Sequence, residues 1–410
     1  MDADQVRKDF PIYEHHAALG KPFVYLDSAA SSQKPRAVLD AMDDYYETTH
    51  ANVHRGVYSI AQEADARFEH ARRRIASFIN APEAEEIAFT KNVTEALNLV
   101  AQAWGRANLR PGDAIVLSEM EHHSNIVPWQ MLQQQIGFDI RYLRVHQPEF
   151  TLDLSNLDEL LDGAKLVSIT AMSNVMGTLP PLDTIIPAAH AAGALVAIDA
   201  AQYVPHLRID VQALGADFVA FTGHKMLGPT GIGVLWGRRE LLEAMPPFLG
   251  GGGMIREVRL EGFTAEEIPH KFEAGTPPIA EAIGLAAACD ELDRYGMDAI
   301  WEHEQRLTSY AIESLSERFG DEIIIYGPRS MEARGGVLSI GFRGLHPHDI
   351  TQVLDQHGVC VRAGHHCAKP LMKCLNVAAL VRASFYVYND ESDVDALADA
   401  LTATSDFFSI

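Results

Sequence analysis

Short apolar runs alternate with longer amphipathic stretches along most of this chain, and that alternation limits the folds it can adopt. Strands that alternate with helices form βαβ units, in which the strands lie parallel within one sheet. Seven apolar runs have the length of buried strands: residues 86–90, 114–118, 140–145, 166–170, 194–199, 218–222 and 233–236. The sequence therefore predicts an α/β fold with a large domain built on a mainly parallel, seven-stranded sheet.

The stretch 62–79 is typical of the helices expected between these strands. Its apolar residues recur at helical spacing and form one face: Ala64, Phe68, Ala71, Ile75 and Phe78. Three arginines in succession, residues 72–74, are expected to lie on the opposite, solvated face of this helix.

The pattern of predicted strands and helices changes at about residue 300. A helical run over 280–294 ends at Gly296, and a glycine is a common stop at a helix terminus. Shorter strands and helices follow. Since 410 residues exceed one typical core, we expect a smaller α+β domain after the large one.

Charge and cysteine content exclude several classes of protein. The net charge is −23, from 33 basic and 56 acidic residues, and such a field repels nucleic acid and anionic membranes. The four cysteines form no Cys-x-x-Cys pair, so neither a zinc ribbon nor a dithiol redox motif is expected, and no metal site is predicted. Few cysteines suit a reducing compartment, and neither a leader peptide nor a membrane span is visible. We expect a cytoplasmic protein.

A carboxylate and a lysine each follow one of the predicted strands. Asp199 closes residues 194–199, and Lys225 comes three residues after residues 218–222. Alone, the lysine could be a surface residue and the aspartate a helix cap. Together, at strand ends where open α/β sheets bind ligands, they match a pyridoxal 5'-phosphate site. The lysine would form the Schiff base, and the aspartate would keep the pyridine nitrogen protonated.

Other polar residues near strand ends could complete this site. Thr94 follows residues 86–90 where a helix begins, which suits a phosphate, although a plain helix cap would look the same. Thr222 and His224, close before the lysine, could donate further hydrogen bonds to the phosphate. Gln202 could reach the phenolic oxygen of the cofactor. His122 could stack on the pyridine ring and relay protons, because the pKa of an imidazole lies near neutrality.

Cys367 and Arg382 are candidates for the substrate side of the site. Cys367 lies in Arg362-Ala363-Gly364-His365-His366-Cys367-Ala368, and cationic neighbours favour the reactive thiolate form of a cysteine. Arg382 has apolar neighbours, and its guanidinium could clamp the carboxylate of an amino acid. Cys367 could instead be a structural cysteine, and Arg382 could instead form a structural ion pair. Cys289 and Cys360 have the patterns of core residues.

Taken as a set, these pieces resemble the cysteine desulfurases of the class V aminotransferase family, most closely the SUF-type (group II) members, which overlap with selenocysteine lyases. The pieces keep the family order over nearly the whole chain. They are residues 25–30, 52–56, 89–95, 121–129, 173–177, 199–202, 222–231, 272–277 and 362–368.

The resemblance implies a fold type I pyridoxal enzyme that is a homodimer with active sites at the subunit interface. It assigns 24–295 to the large domain, and 1–23 with 296–410 to a small domain that carries Cys367. Thr276 would reach the phosphate bound by the partner subunit. The resemblance also implies further contacts: Glu95 and Asn174 with the cofactor, and Ala29, Asn174, Arg362 and Arg382 with the substrate.

The expected reaction converts L-cysteine to L-alanine and leaves a persulfide on Cys367, with Lys225 or His122 as the base. A SUF-type acceptor protein would then take the sulfur for iron–sulfur cluster assembly. Two alternatives stay open. The first is a selenocysteine lyase or another pyridoxal lyase with the same fold, and the second is a sulfur-carrying scaffold with little catalysis of its own.

Overall fold

The computed structural model describes residues 1–409. Its strands in chain order are β1 Val24–Tyr25, β2 Ile87–Thr90, β3 Ala114–Ser118, β4 Asp139–Leu143, β5 Val145–His146, β6 Thr151–Leu152, β7 Ala164–Thr170, β8 Leu195–Asp199, β9 Phe218–Thr222, β10 Gly233–Gly237, β11 Ile255–Arg259, β12 Gly262–Ala265, β13 Ile323–Tyr326, β14 Val337–Phe342, β15 Val359–Cys360, β16 Arg362–Gly364 and β17 Leu380–Ser384.

The helices surround these strands. They are α1 Ala3–Arg7, α2 Pro11–Ala18, α3 Arg36–Asp44, α4 Ser59–Phe78, α5 Val93–Leu99, α6 Arg106–Asn108, α7 Val127–Ile136, α8 Leu157–Leu161, α9 Leu182–Ala191, α10 Val211–Leu214, α11 Arg239–Ala244, α12 Ile279–Tyr295, α13 Met297–Phe319, α14 Pro347–Gln356, α15 Lys369–Cys374 and α16 Glu391–Phe408. Within residues 1–409, no helix combines the length and the apolar character that crossing a bilayer requires.

Seven strands form the large sheet, in the order β2-β10-β9-β8-β7-β3-β4. β10 runs antiparallel to both of its neighbours, and the pairs from β9 to β4 are parallel. The seven predicted runs supply these seven strands, and their ends differ from the observed ones by at most two residues. The predicted α/β class and the mainly parallel sheet are confirmed.

Both faces of the large sheet are buried. On β3, Val116 belongs to the apolar cluster on one face, whereas Ile115 and Leu117 belong to the cluster on the other. β8 divides in the same way, with Val196 on the first face and Ala197 on the second. This explains why the strands are continuous apolar runs, as parallel sheets covered on both faces require.

A four-stranded antiparallel sheet, in the order β13-β14-β17-β16, follows α13 and has its own apolar cluster. Gly296 separates α12 from α13, close to the predicted boundary at residue 295. β1 pairs with β15, and Leu26 packs in the cluster of the smaller sheet, so the chain just after residue 23 packs with the smaller unit. The division into 24–295 against 1–23 and 296–410 stays a prediction.

The prediction of a solvated face for all three arginines of α4 is wrong for Arg72. Its side chain is 1% exposed and forms hydrogen bonds with both carboxylate oxygens of Glu273 and with the carbonyl of Ile87. Burial by itself would raise the pKa of Glu273, but the charge and hydrogen bonds of Arg72 and the N–H of Phe89 lower it overall. The pair ties α4 to β2 and to the chain before Thr276.

We expect the replacement Arg72→Met to destabilise the protein by about 3–5 kcal/mol, because it leaves the Glu273 carboxylate buried without its partner. Arg73→Met is the matched control, since Arg73 is exposed one position further along the same helix. Thermal and urea unfolding of the two variants measure the difference. Equal losses in both variants would contradict a stabilising role for the buried pair.

Because the pKa of Glu273 is lowered, the contribution of the pair should be present at neutral pH and fade as the pH falls.

Candidate active site

A cavity of about 570 Å³ lies at the carboxyl ends of the central parallel strands, and residues 362–367 contribute to its lining. This volume is within the usual range for small-molecule sites. Most residues predicted from the sequence line it: Ala29, Thr94, His122, Asn174, Asp199, Gln202, His224, Lys225, Arg362, Cys367 and Arg382. The fold thus brings together residues that are as much as 353 positions apart (382 − 29).

Asp199 and Lys225 face this cavity from the ends of neighbouring strands, β8 and β9. Burial raises the pKa of Asp199, while the N–H of Ala201 and the charge of Lys225 act in the opposite direction. Burial lowers the pKa of Lys225 to about 8, although the nearby Asp199 carboxylate opposes the change. An appreciable fraction of Lys225 is therefore a free amine at neutral pH, as a nucleophile or a base must be.

The turn that carries Lys225 is held from the opposite side by the loop before α3. The carbonyl oxygen of His224 accepts hydrogen bonds from the Ser32 N–H (3.0 Å), the Ser31 hydroxyl (3.1 Å) and the Lys34 side-chain nitrogen (2.9 Å). These bonds fix the peptide that joins His224 to Lys225. The direction in which the lysine leaves the backbone is therefore set by residues nearly 200 positions earlier.

His122 differs from the near-neutral imidazole expected from sequence. Burial, followed by the charges of Lys225, His123 and Arg382, lowers the pKa of His122 to about 3. Its Nδ1 accepts a hydrogen bond from the Ser124 N–H at 3.1 Å, which leaves the proton of the neutral ring on Nε2. His122 is therefore poised to stack or to donate a hydrogen bond, and Lys225 is the better base.

The loop that carries His122 rests on a buried carboxyl. Glu121 accepts hydrogen bonds from the Ser118 hydroxyl, the Asn125 amide and the Thr170 N–H. Burial raises the pKa of Glu121 and the three donors lower it, and the net result is a pKa of about 8. This network fixes the chain after β3 against the end of β7, so that His122 overhangs the cavity.

Three predicted residues lie outside the lining of this cavity. The Thr222 hydroxyl is buried and donates to the Ile232 carbonyl at 3.4 Å. Glu95 accepts a hydrogen bond from the Lys91 N–H. The helix cap that Thr94 could have supplied is instead Asn92, at the start of α5. Glu95 and Thr276 line a second cavity. The expected contact of Thr276 with a partner subunit's phosphate stays a prediction.

Two arginines that line the cavity, Arg362 and Arg382, share one aspartate, Asp27. Arg382 is 3% exposed, donates to the Asn174 carbonyl at 2.9 Å, and contacts Asp27 at 3.4 Å. Arg362 donates to both oxygens of Asp27. The electropositive setting expected around Cys367 is weaker than the sequence suggests, because Asp27 offsets the arginines and burial lowers the pKa of the His366 ring to about 3.

Three buried polar atoms of residues that line the cavity have no hydrogen-bond partner within residues 1–409: Gln202 Oε1, His366 Nδ1 and Arg382 Nε. The Gln202 amide nitrogen is already used by the Ala29 carbonyl at 2.6 Å. Buried polar groups are normally satisfied, so an acceptor and a cationic donor left free at one cavity indicate that a polar, anionic molecule binds there.

Sequence reasoning missed Asp27 and Ser124. Asp27 bridges two arginines more than 300 positions later, and no local pattern reveals such a contact. The Ser124 hydroxyl lies 2.7 Å from that of Thr94 and 2.9 Å from His122 Nδ1, linking two predicted residues. Its place directly after the two histidines was the available signal.

The family model of class V aminotransferases matches residues 24–397. The chain belongs to the class V aminotransferase family. Among curated class V relatives, a probable cysteine desulfurase of Streptomyces coelicolor is 52% identical over 413 residues, with 100% of this chain and 98% of the relative covered. A cysteine desulfurase of Haloferax volcanii is 46% identical over 421 residues, with the same coverage of both chains.

Solved structures give the same result for this class V chain. The apo structure of a cysteine desulfurase from Thermococcus onnurineus has a TM-score of 0.93 and 41% identity, covering 99% of this chain and 98% of that one. A cysteine desulfurase from Escherichia coli, in an S-sulfonic acid form, has a TM-score of 0.91 and 40% identity, covering 99% of both chains. The expected fold type is confirmed.

Proposed function

We propose that this protein is a cysteine desulfurase, which converts L-cysteine to L-alanine and holds the removed sulfur as a persulfide on Cys367. The observation that carries the proposal is that Cys367 lines the same cavity as Lys225 and Asp199. The printed names of relatives that are 46–52% identical over the whole chain support the same activity.

The residues at the cavity fit pyridoxal 5'-phosphate. Lys225 would hold its aldehyde carbon, and the buried Asp199 carboxylate would face its ring nitrogen, since a buried carboxylate calls for a cationic partner. Thr94 and His224 would hold the phosphate, and Gln202 Oε1 offers an unused acceptor. When bound, the cofactor supplies an electron sink for the negative charge that develops on the substrate.

Arg382 would bind and orient the substrate. Its Nε–H is buried without a partner within residues 1–409, and its Nη1 is already held by the Asn174 carbonyl. A carboxylate that accepts from this free edge would point the rest of the amino acid toward Lys225. The amine of Lys225, with its pKa near 8, would take the proton from the α-carbon and return it during the reaction.

The Cys367 thiolate would then attack the sulfur of the substrate. A sulfur–sulfur bond forms while the bond between carbon and sulfur breaks, and the electron pair of the broken bond stays on the substrate carbon. That carbon takes up a proton and becomes the methyl group of L-alanine. Cys367 is exposed, so the persulfide it carries is accessible to an acceptor.

The segment around Cys367 favours the SUF-type subgroup. Only residues 365–368 separate the end of β16 at Gly364 from the start of α15 at Lys369. A loop this short cannot carry the sulfur far, so a protein acceptor must come to the site. We therefore include a SUF-type acceptor in the proposal. The resemblance to the family adds a role in iron–sulfur cluster assembly and a homodimer with sites at its interface, and the low cysteine content adds a cytoplasmic location.

Intact-protein mass spectrometry after addition of L-cysteine tests the function. A gain of one sulfur, about 32 Da, is expected on the cofactor-loaded protein together with release of alanine. Alanine without added sulfur would instead indicate a lyase that releases its product directly. Neither product, even with candidate acceptor proteins present, would contradict the proposal and favour a non-catalytic scaffold.

Replacement of Arg382 tests the substrate assignment. We expect Arg382→Lys to raise KM for L-cysteine roughly 10- to 100-fold, because a lysine cannot reproduce the planar, bidentate contact with a carboxylate. Arg329→Lys, at an exposed position, is the control. Initial rates over a range of L-cysteine concentrations give the answer. A KM equal to that of the control would remove Arg382 from the substrate site.

A further inference from the structure

The Cys367 segment has a backbone that needs support from its surroundings. His366 and Cys367 have φ values of 50° and 54°, and Gly364 just before them has a φ of 137°. Residues with side chains rarely adopt the left-handed region, and two in succession persist only when neighbouring groups hold them. Other parts of the chain must therefore fix this segment.

His123 holds the segment directly after the thiol through two hydrogen bonds. Its main-chain N–H donates to the carbonyl of Cys367 at 2.7 Å. Its ring Nε2 accepts from the main-chain N–H of Lys369 at 3.0 Å. One residue of the loop after β3 thus contacts the peptide that follows Cys367 and the start of α15, two positions later.

The ring contact requires His123 to be uncharged. Only an unprotonated Nε2 can accept from Lys369, which places the ring proton on Nδ1. Burial, and then the neighbouring His365 and Lys369, lower the pKa of His123, so the acceptor form prevails at neutral pH. The His365 ring, 5.6 Å away, accepts from the Cys367 N–H in the same manner at 3.0 Å.

We propose that His123 is a positioning residue that sets the distance between the Cys367 sulfur and the substrate. The residue before it, His122, overhangs the cavity that Lys225 lines. Because the two histidines are consecutive, the contacts of His123 join the thiol segment directly to His122, which lines the reaction site. This inference rests on the proposed function, since it concerns transfer of sulfur from the cavity to Cys367.

Two substitutions separate the ring contact from mere packing. His123→Leu removes the acceptor but keeps the main-chain N–H and a side chain of moderate size. His123→Gln keeps an acceptor, because its Oε1 can occupy the position of Nε2. His15→Leu is the control, since His15 is an exposed residue of α2 remote from Cys367 in the sequence.

Hydrogen exchange of the full chain, followed on peptides that contain residues 364–374, is the first measurement. We expect the amides of this segment to exchange roughly tenfold faster in His123→Leu, and at the original rate in His123→Gln and His15→Leu. The second measurement is the kinetics of the loaded enzyme. In His123→Leu, kcat for alanine release should fall about tenfold or more while KM changes less than about twofold, because misplacement of a reacting group slows chemistry without weakening substrate binding.

Unchanged exchange in His123→Leu, an unchanged kcat, or a His123→Gln enzyme as slow as His123→Leu would each overturn the proposal. A wild-type enzyme without any release of alanine would count against the proposed function. In that case the exchange rates alone decide whether His123 holds the segment.

Discussion

Replacement of Lys225 by alanine is expected to lower the rate of alanine release by at least about 10⁴-fold, because the variant loses the proposed general base as well as the amine that would hold the cofactor. Sulfur should not appear on Cys367, and the absorbance of lysine-bound cofactor should be lost. The turn itself should stay in place, since the Ser32 N–H and Lys34 contact the His224 carbonyl and not the lysine side chain.

Lys21→Ala, at an exposed position, is the control for this experiment. Cofactor uptake adds a test of electrostatics. Burial lowers the pKa of Lys225 to about 8, and only the free amine reacts with an aldehyde, so uptake should accelerate as the pH rises through about 8. A Lys225→Ala protein with the control's activity would overturn the assignment of this residue, and a flat uptake profile would contradict its lowered pKa.

Replacement of Cys367 by serine is expected to abolish the gain of about 32 Da and to slow alanine release about 10²-fold or more, since a hydroxyl cannot accept sulfur as a thiolate does. Binding of the cofactor should be unaffected, because Lys225, Asp199 and His122 are unchanged. The experiment therefore separates the sulfur-transfer step from assembly of the site.

Cys374→Ser is the matched control, at a partly buried thiol seven residues further along the chain. Burial raises the pKa of Cys374, which disfavours its thiolate, so this variant should gain sulfur like the wild type. Sulfur still added to Cys367→Ser would place the acceptor thiol elsewhere. Full alanine release without any persulfide would favour a lyase, and a strong preference for selenocysteine would favour the related selenium enzymes.

Much of the fold could be predicted because the large sheet is covered on both faces. Its strands must then be uninterrupted apolar runs, and such runs are visible in a sequence without any partner. The polar residues that end them, Asp199 and Lys225, could be assigned to one site for the same reason, since parallel strands bring their carboxyl ends together.

The missed features depend on contacts between distant parts of the chain. The burial of Arg72 depends on Glu273, which lies 201 positions later. Its charge placed Arg72 on the solvated face, although position 72 lies next to Phe68 and Ile75 by helical spacing. Likewise, nothing within the Cys367 segment shows that Asp27 offsets the charge of Arg362.

The α/β class, the seven strands and the residue types at their ends follow from the amino-acid sequence, because hydrophobic periodicity and strand-end chemistry are local properties. The protonation of those residues depends on long-range packing. Burial lowers the pKa of His122 and Lys225 and raises that of Asp199, and burial exists only once distant segments have packed.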